Sequence, residues 1–348
     1  MMKKSYIFHT SLLFAMLMIC SGMAAQMKHT IKRPAQGMQT TSDATAVKGG
    51  TQGDYGITVT LGNEQYIRVR TAEQFLNALG SHRNVLVAAD TEINLTPLLN
   101  DQSIFRTKYR VWTSDISGGM ADGREVVASE EVTDGRQLTL VNFEQLNIVG
   151  ERNSRIVVEP RYAFCLRFVD CKQCEVRNLT IGHTEDGNCT GGVIGDLRGW
   201  RIYVVNCDLY GCGAYGLELE RSNSFELRNS NIHNCTYGIM TLSNVTSMTA
   251  SHCNFFNNRE YSLIGSGNSA GVVFDDCWFF NNEGTLFSFD SEFYLRNSKV
   301  FHPESDLGSM EMANQSGGNN EFGEIFSYHG AYGQMLEKRN RKIGPDVK

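Results

Sequence analysis

One short pattern limits what this chain can fold into more than any other feature: apolar, any residue, Asn-like, small or apolar, any residue, apolar. The clear copies are Val176-Arg-Asn-Leu-Thr-Ile181, Val204-Val-Asn-Cys-Asp-Leu209, Leu227-Arg-Asn-Ser-Asn-Ile232, Ala250-Ser-His-Cys-Asn-Phe255, Phe274-Asp-Asp-Cys-Trp-Phe279 and Leu295-Arg-Asn-Ser-Lys-Val300. Phe143-Glu-Gln-Leu-Asn-Ile148 reads as an earlier copy, and successive starts lie 33, 28, 23, 23, 24 and 21 residues apart. A period near 23 also suits leucine-rich repeats, but their leucine-dense consensus is missing, as is a helical stretch inside the unit. β-Branched and aromatic residues alternate instead, with Asn and Gly at the corners, so the unit reads as strands. A second short strand follows each copy, marked by Ile156, Val193, Leu217, Ile239, Leu263 and Leu286. Stacking such coils in parallel buries a continuous core.

Coils stacked at the strand spacing of about 4.8 Å turn each repeat position into a ladder. Leu179, Cys207, Ser230, Cys253, Cys277 and Ser298 fall in one row, expected as a buried stack of small side chains. Two residues beyond each copy come His183, Gly211, Asn234, Asn257, Asn281 and His302. An Asn ladder there would satisfy backbone groups left unpaired by the bend, with the two histidines either substituting in it or acting chemically. One residue earlier stand Tyr210, His233, Phe256, Phe280 and Phe301, either an exposed sugar platform or the seat of a covering segment, for which Pro303 to Lys348 is available.

The ends read differently. Lys3 and Lys4, the apolar run Tyr6 to Ile19 and the small residues to Ala25 form a secretory signal peptide, which places the protein outside the cytoplasm. That run is too short for an ordinary membrane span. Cys20 as a lipid anchor is disfavoured by Ile19 before it. Cleavage takes the formal charge from −6 to −8, and an acidic chain without a basic stripe argues against nucleic acid as partner. Nine cysteines remain between Cys165 and Cys277, an odd and crowded set unlike a disulfide scaffold. Thr71-Ala-Glu-Gln74 is a capping-box pattern that predicts a short helix over 71–80 plugging the first coil, after which Val85 to Ala89 and Ile93 to Leu95 begin the winding.

Residues 143–302 resemble the right-handed parallel β-helix repeats of the pectate-lyase-like superfamily. The stretch Gly182-His183-Thr184 to Cys189-Thr190-Gly191-Gly192-Val193 also resembles an element of uncharacterised secreted bacterial β-helix proteins. The expected fold class is all-β, a single-stranded right-handed parallel β-helix solenoid with a short N-terminal helical cap. The expected division is a signal peptide 1–25, a flexible leader 26–55, a cap with first coils 56–142, β-helix repeats 143–302 and a C-terminal cap or tail 303–348, in a monomer.

Candidate chemistry comes from the second strand. Three residues past its first apolar position stand Glu159, Asp196 and Glu220, an outward row by alternation, followed by Leu242, Ser266 and Phe289. Carboxylates about 5 Å apart need a cation, a shared proton or arginines. Arg161 and Arg198 lie two positions beyond Glu159 and Asp196, and Glu218 points outward between Ile194 and Met240. The long loop after Ile181 brings His183 and Glu185 over the same face. A polysaccharide lyase would use Arg198 or Arg161 as base, with Ca²⁺ held by Asp196, Glu220 and Glu159. A hydrolase would use Asp196 with Glu220. The resemblance thus implies a polysaccharide partner, either acted on or merely bound. Neither the Gly-His-Gly of polygalacturonases nor the Trp-Ile-Asp-His of the main pectate lyases is present.

Overall fold

The Asn-like position of the repeat is where the backbone turns left-handed. Asn178, Asn206, Asn229, His252, Asp276 and Asn297 have φ between 50° and 58°, a region that costs most L-residues energy and that Asn tolerates best outside Gly. Each such residue separates two short strands, and the chain is thereby wound into three parallel sheets. A computed structural model describes residues 56–107, 109–120, 122–184, 192–211 and 215–324. The expected signal peptide and leader, Glu185 with the rest of its loop, and residues 325–348 lie outside the described residues.

In sheet A the inward positions Ile148, Val176, Val204, Leu227, Ala250, Phe274 and Leu295 pair in succession. In sheet B the same is true of Ile93, Ile156, Ile181, Leu209, Ile232, Phe255, Phe279, Val300 and Phe322. Sheet C aligns Leu166, Ile194, Leu217, Met240, Ile264 and Phe287. The inner faces merge into one apolar core. The earlier copy read at Phe143 is one turn out of place, because Val176 pairs with Ile148 and not with Phe143. An insertion at Glu151 to Asn153, before Ile156, hides the true first copy.

The row of small residues forms as expected. Leu179, Cys207, Ser230, Cys253, Cys277 and Ser298 are all buried, and Cys207 N and Cys277 N donate to Ser230 Oγ and Ser298 Oγ, each at 3.0 Å. The Asn row behaves otherwise. Gly211, Asn234, Asn257 and Asn281 are left-handed corners, and the buried Asn ladder comes one residue later, where Asn258 Nδ2 donates to Asn282 Oδ1 at 3.0 Å and to Ile232 O at 3.1 Å. His183 and His302 are not corners of this kind. Both are buried, with Nε2 3.0 Å from Ala163 O and 2.7 Å from Gly284 O.

The cap helix runs Ala72–Ala78, with Thr71 Oγ1 accepting from Gln74 N at 3.2 Å, and buries Phe75, Leu76 and Ala78. Three antiparallel pairs escaped the sequence, one of them the short pair Arg106–Thr107 with Arg110–Thr113. Ile57–Leu61 and Glu64–Val69 pair antiparallel ahead of the helix, and Val126–Val132 pairs antiparallel with Gly135–Val141 at the edge of sheet C. Residues 303–323 add a further coil, with Ala313–Asn314 in sheet A and Glu321–Gly323 in sheet B. Among the described residues no helix is long and apolar enough to cross a membrane.

Candidate functional site

Strand alternation and register decide which side chains of sheet C meet. Arg167, Gly195, Glu218, Thr241 and Gly265 form one row. Val169, Leu197, Glu220, Ser243 and Gly267 form a second. Both face outward, because Phe168, Asp196, Leu219 and Leu242 between them point into the core.

The expected carboxylate row therefore does not form. Asp196 pairs with Leu219, an inner residue, and is 2% exposed. Glu220 pairs with Leu197 and faces outward on the same sheet. Glu159 follows the strand Arg155–Val158 of sheet B, where its Oε1 accepts from Asn94 Nδ2 at 2.7 Å. The cause lies in paired apolar residues at the corner before sheet C: Val193-Ile194, Ile239-Met240, Leu263-Ile264 and Leu286-Phe287 are buried at both positions. Counting from the first member gives Asp196, Leu242, Ser266 and Phe289, which do share a row, but an inner one. Leu217 is the second member of its pair, after Gly216, so Glu220 came out one residue late. These three carboxylates do not fit a shared Ca²⁺. Among the described residues no cluster of three His, Cys, Asp or Glu could hold a metal ion.

Asp196 is an isolated buried acid. Neither carboxylate oxygen has a hydrogen-bond partner, and Ser222 Oγ donates instead to the Asp196 backbone carbonyl at 3.1 Å. Burial pushes its pKa up to about 7, with the nearby Ser222 hydroxyl and Gly199 N–H opposing the shift and the Asp170 charge adding to it. Arg198, expected as a base, has φ 58° at the corner leaving sheet C. Its Nε and Nη2 donate to Asp170 Oδ1 and Oδ2 at 2.7 and 2.8 Å, and Nη2 also reaches Ser117 O at 2.9 Å. The bidentate pair holds its guanidinium more firmly protonated than usual. Arg161 lies at a different corner, its backbone N donating to Asp134 Oδ2 at 2.6 Å. Burial pushes the His183 imidazole below its usual pKa, and its position is the core wall rather than the outer face of sheet C.

The structure brings together a different set. A shallow groove on sheet C is lined by Phe164, Arg167, Gly195, Asp196, Leu197, Glu218 and Glu220. A Cβ on Gly195 would meet the Phe164 ring at 3.1 Å, so the missing side chain makes room for that ring, which packs over the buried glycine and forms one wall of the groove beside Arg167 and Glu218. Arg167 Nη1 is held by Glu130 at 2.7 Å, and Glu130 also accepts from Thr139 Oγ1, Gln137 Nε2 and Ile116 N. Burial works to raise the Glu130 pKa, but Arg167 and these donors together hold it below the ordinary range. Glu218 has no such partner. Burial pushes its carboxyl above the usual range, with Glu220 adding repulsion and Arg167 opposing. Sequence reasoning placed Glu218 outward and missed Arg167, Gly195 and Phe164. The signal for them was the register itself, legible only once Leu166 is aligned with Ile194.

At one side of the groove the outer face is closed. Ile116, Val126, Ala128, Val141, Val169 and Leu197 form a second apolar cluster. The segment around Ser117 is tied down by Arg198 to its carbonyl and by Arg167 Nη2 to its Oγ at 3.0 Å. The groove opens where this cover stops and the row passes from Leu197 to Glu220.

Residues 164–323 match the family model of the right-handed β-helix region, which agrees with the parallel three-sheet winding and gives its hand. No curated protein matches the sequence.

Proposed function

We propose that this right-handed parallel β-helix protein acts outside the cytoplasm and holds a polysaccharide chain along the outer face of sheet C, in the groove beside Phe164. The observation that carries the reading is the groove itself: an aromatic ring seated on Gly195, with a half-buried, unpaired carboxyl beside it. Extended sugars suit such a surface, because an aromatic face packs against apolar ring faces while a few polar groups fix orientation. The charge pattern favours a neutral or amine-bearing glycan over a polyuronate. Arg167, Arg198, Arg221 and Arg259 are each paired with a carboxylate, whereas Glu218 makes no ion pair among the described residues. A uronate would meet Glu218 and find no free guanidinium among these four.

Hydrolysis is a second reading, favoured by one observation. Glu218 and Glu220 stand two residues apart on one outward face, and the raised pKa of Glu218 suits a proton donor. Elimination is less well supported, because of the two arginines expected as base Arg198 is held by Asp170 and Arg161 lies at a different corner, beside Asp134.

The test is a panel of neutral, amino and acidic polysaccharides, with binding, reducing ends and unsaturated-uronate absorbance followed together. Binding is expected to a neutral or amino glycan and to be lost in Gly195→Val, whose side chain displaces Phe164, with the far-ultraviolet spectrum of strands unchanged. Reducing ends that vanish in Glu218→Gln would add hydrolysis. Binding indifferent to Gly195→Val, or binding to polyuronates alone, would overturn the reading.

A further inference from the structure

Sheet B carries a row of rings on its outer face. Tyr210, His233, Phe256 and Phe280 pair in succession, and Phe301 follows by register. Ring centroids are 6.0, 4.7 and 5.2 Å apart along the first four, with interplanar angles of 21°, 3° and 4°. Stacking of this kind covers the ring faces and leaves the outer edges open. Yet Phe280 is 0% and Phe256 4% exposed, although neither belongs to the inner core that holds Phe255 and Phe279. Outward rings hidden this completely have chain lying over them.

We infer that the outer face of sheet B is the seat of the chain's own C-terminal segment, residues 325–348. Three observations select that segment over the leader. The last sheet-B strand, Glu321–Gly323, ends beside the row, since Gly323 pairs with Phe301 and a Cβ on it would meet the Phe301 ring at 3.1 Å. The leader joins at Gly56, ahead of the first strand of sheet A at the opposite end of the stack. Eight strand spacings, on the order of 38 Å, separate that strand from the coil of Phe280, against two from Gly323. The segment also has the right chemistry, carrying Ile325, Phe326, Tyr328, Tyr332, Met335 and Leu336 ahead of its basic end. From Gly323 to His233 is four spacings, roughly 19 Å, which about six extended residues span. The row is thus the seat of a cover and not a sugar platform, which leaves sheet C as the face for ligand.

Hydroxyl-radical footprinting of the mature protein, read by peptide mass spectrometry, tests this. Phe256, Phe280 and Phe301 are expected to be protected in the full chain and labelled several-fold more in a chain ending at Glu324, with Phe255 and Phe279 unchanged as internal controls. Removing residues 26–55 is expected to change nothing at these rings. Protection that survives the truncation, or that is lost with the leader instead, overturns the inference. If Phe279 labelling also rises on truncation, the chain has unfolded, and the full-length double variant Phe326→Ser, Tyr328→Ser decides. Raised labelling at Phe280 with Phe279 unchanged supports the assignment, and unchanged labelling at Phe280 overturns it.

Discussion

Asp196 stands where its neighbours along the stack are Phe168, Leu219 and Leu242, and neither of its oxygens accepts a hydrogen bond of normal geometry. Its pKa of about 7 in the fold, against about 4 when unfolded, ties stability to pH. Below about pH 4 both states carry the proton and the residue contributes no pH dependence. Between about pH 4 and 7 the folded state keeps a proton that the unfolded state has released, so stability falls as pH rises, by at most about 4 kcal/mol in all. Above that range the cost is constant. Asp196→Leu, which matches Leu219 and Leu242, is expected to stabilise the protein at pH 8, with an advantage over the parent that shrinks as the pH falls to 4. Urea denaturation at a series of pH values checks it, and an advantage independent of pH would show that the carboxyl is already solvated or paired.

The strand elements were legible because their corners repeat a costly backbone conformation, and Asn at those corners is a local signal. The expected outcome of Asn229→Ala is a loss of about 1 kcal/mol, with Asn229→Gly costing less, because Asn229 has φ 52° and Ala pays the left-handed penalty that Gly does not. Equal losses by thermal melting would assign the preference to the side chain instead. The same logic explains what was missed. At the corners into sheet C two adjacent apolar residues are both buried, so alternation alone cannot say which begins the strand. That ambiguity of one residue turned Asp196 outward and put Glu220 in its row. The hairpin at Val126–Val141 was hidden for another reason: Glu130, Arg136 and Gln137 are buried polar residues that satisfy one another across it or bond to Thr113 O and Ser129. Arg198 offers no local sign of its role either, since its partners Asp170 and Ser117 stand 28 and 81 residues away.

At the scale of the whole molecule each coil touches chiefly the coils before and after it, so stability is a sum of coils and their interfaces, and what matters is register rather than total length. In the middle of the stack a coil is 23 residues, the separation of Asn231 from Asn254. Glu226 pairs with Thr249 and Leu227 with Ala250 at the same interval. Deleting residues 226–248 joins Phe225 directly to Thr249, which then occupies the place of Glu226, and each later inward residue lands over an inward neighbour. Ala250 comes to lie on Val204, Phe255 on Leu209 and Ile264 on Leu217. Such a chain is expected to fold with the far-ultraviolet spectrum of strands and a cooperative melt at somewhat lower temperature, because one interface is lost and the groove at Gly195 keeps Arg167 and Glu218. Deleting 22 residues, 226–247, shifts everything downstream by one position. Phe255, Phe274 and Phe279 would then turn toward solvent while their polar neighbours turned inward, a change that no local adjustment repairs. That chain is expected to be insoluble or to melt without cooperativity. If the two deletions behave alike, the coils are not held by the register of their inner rows, and the stack owes its order to its ends.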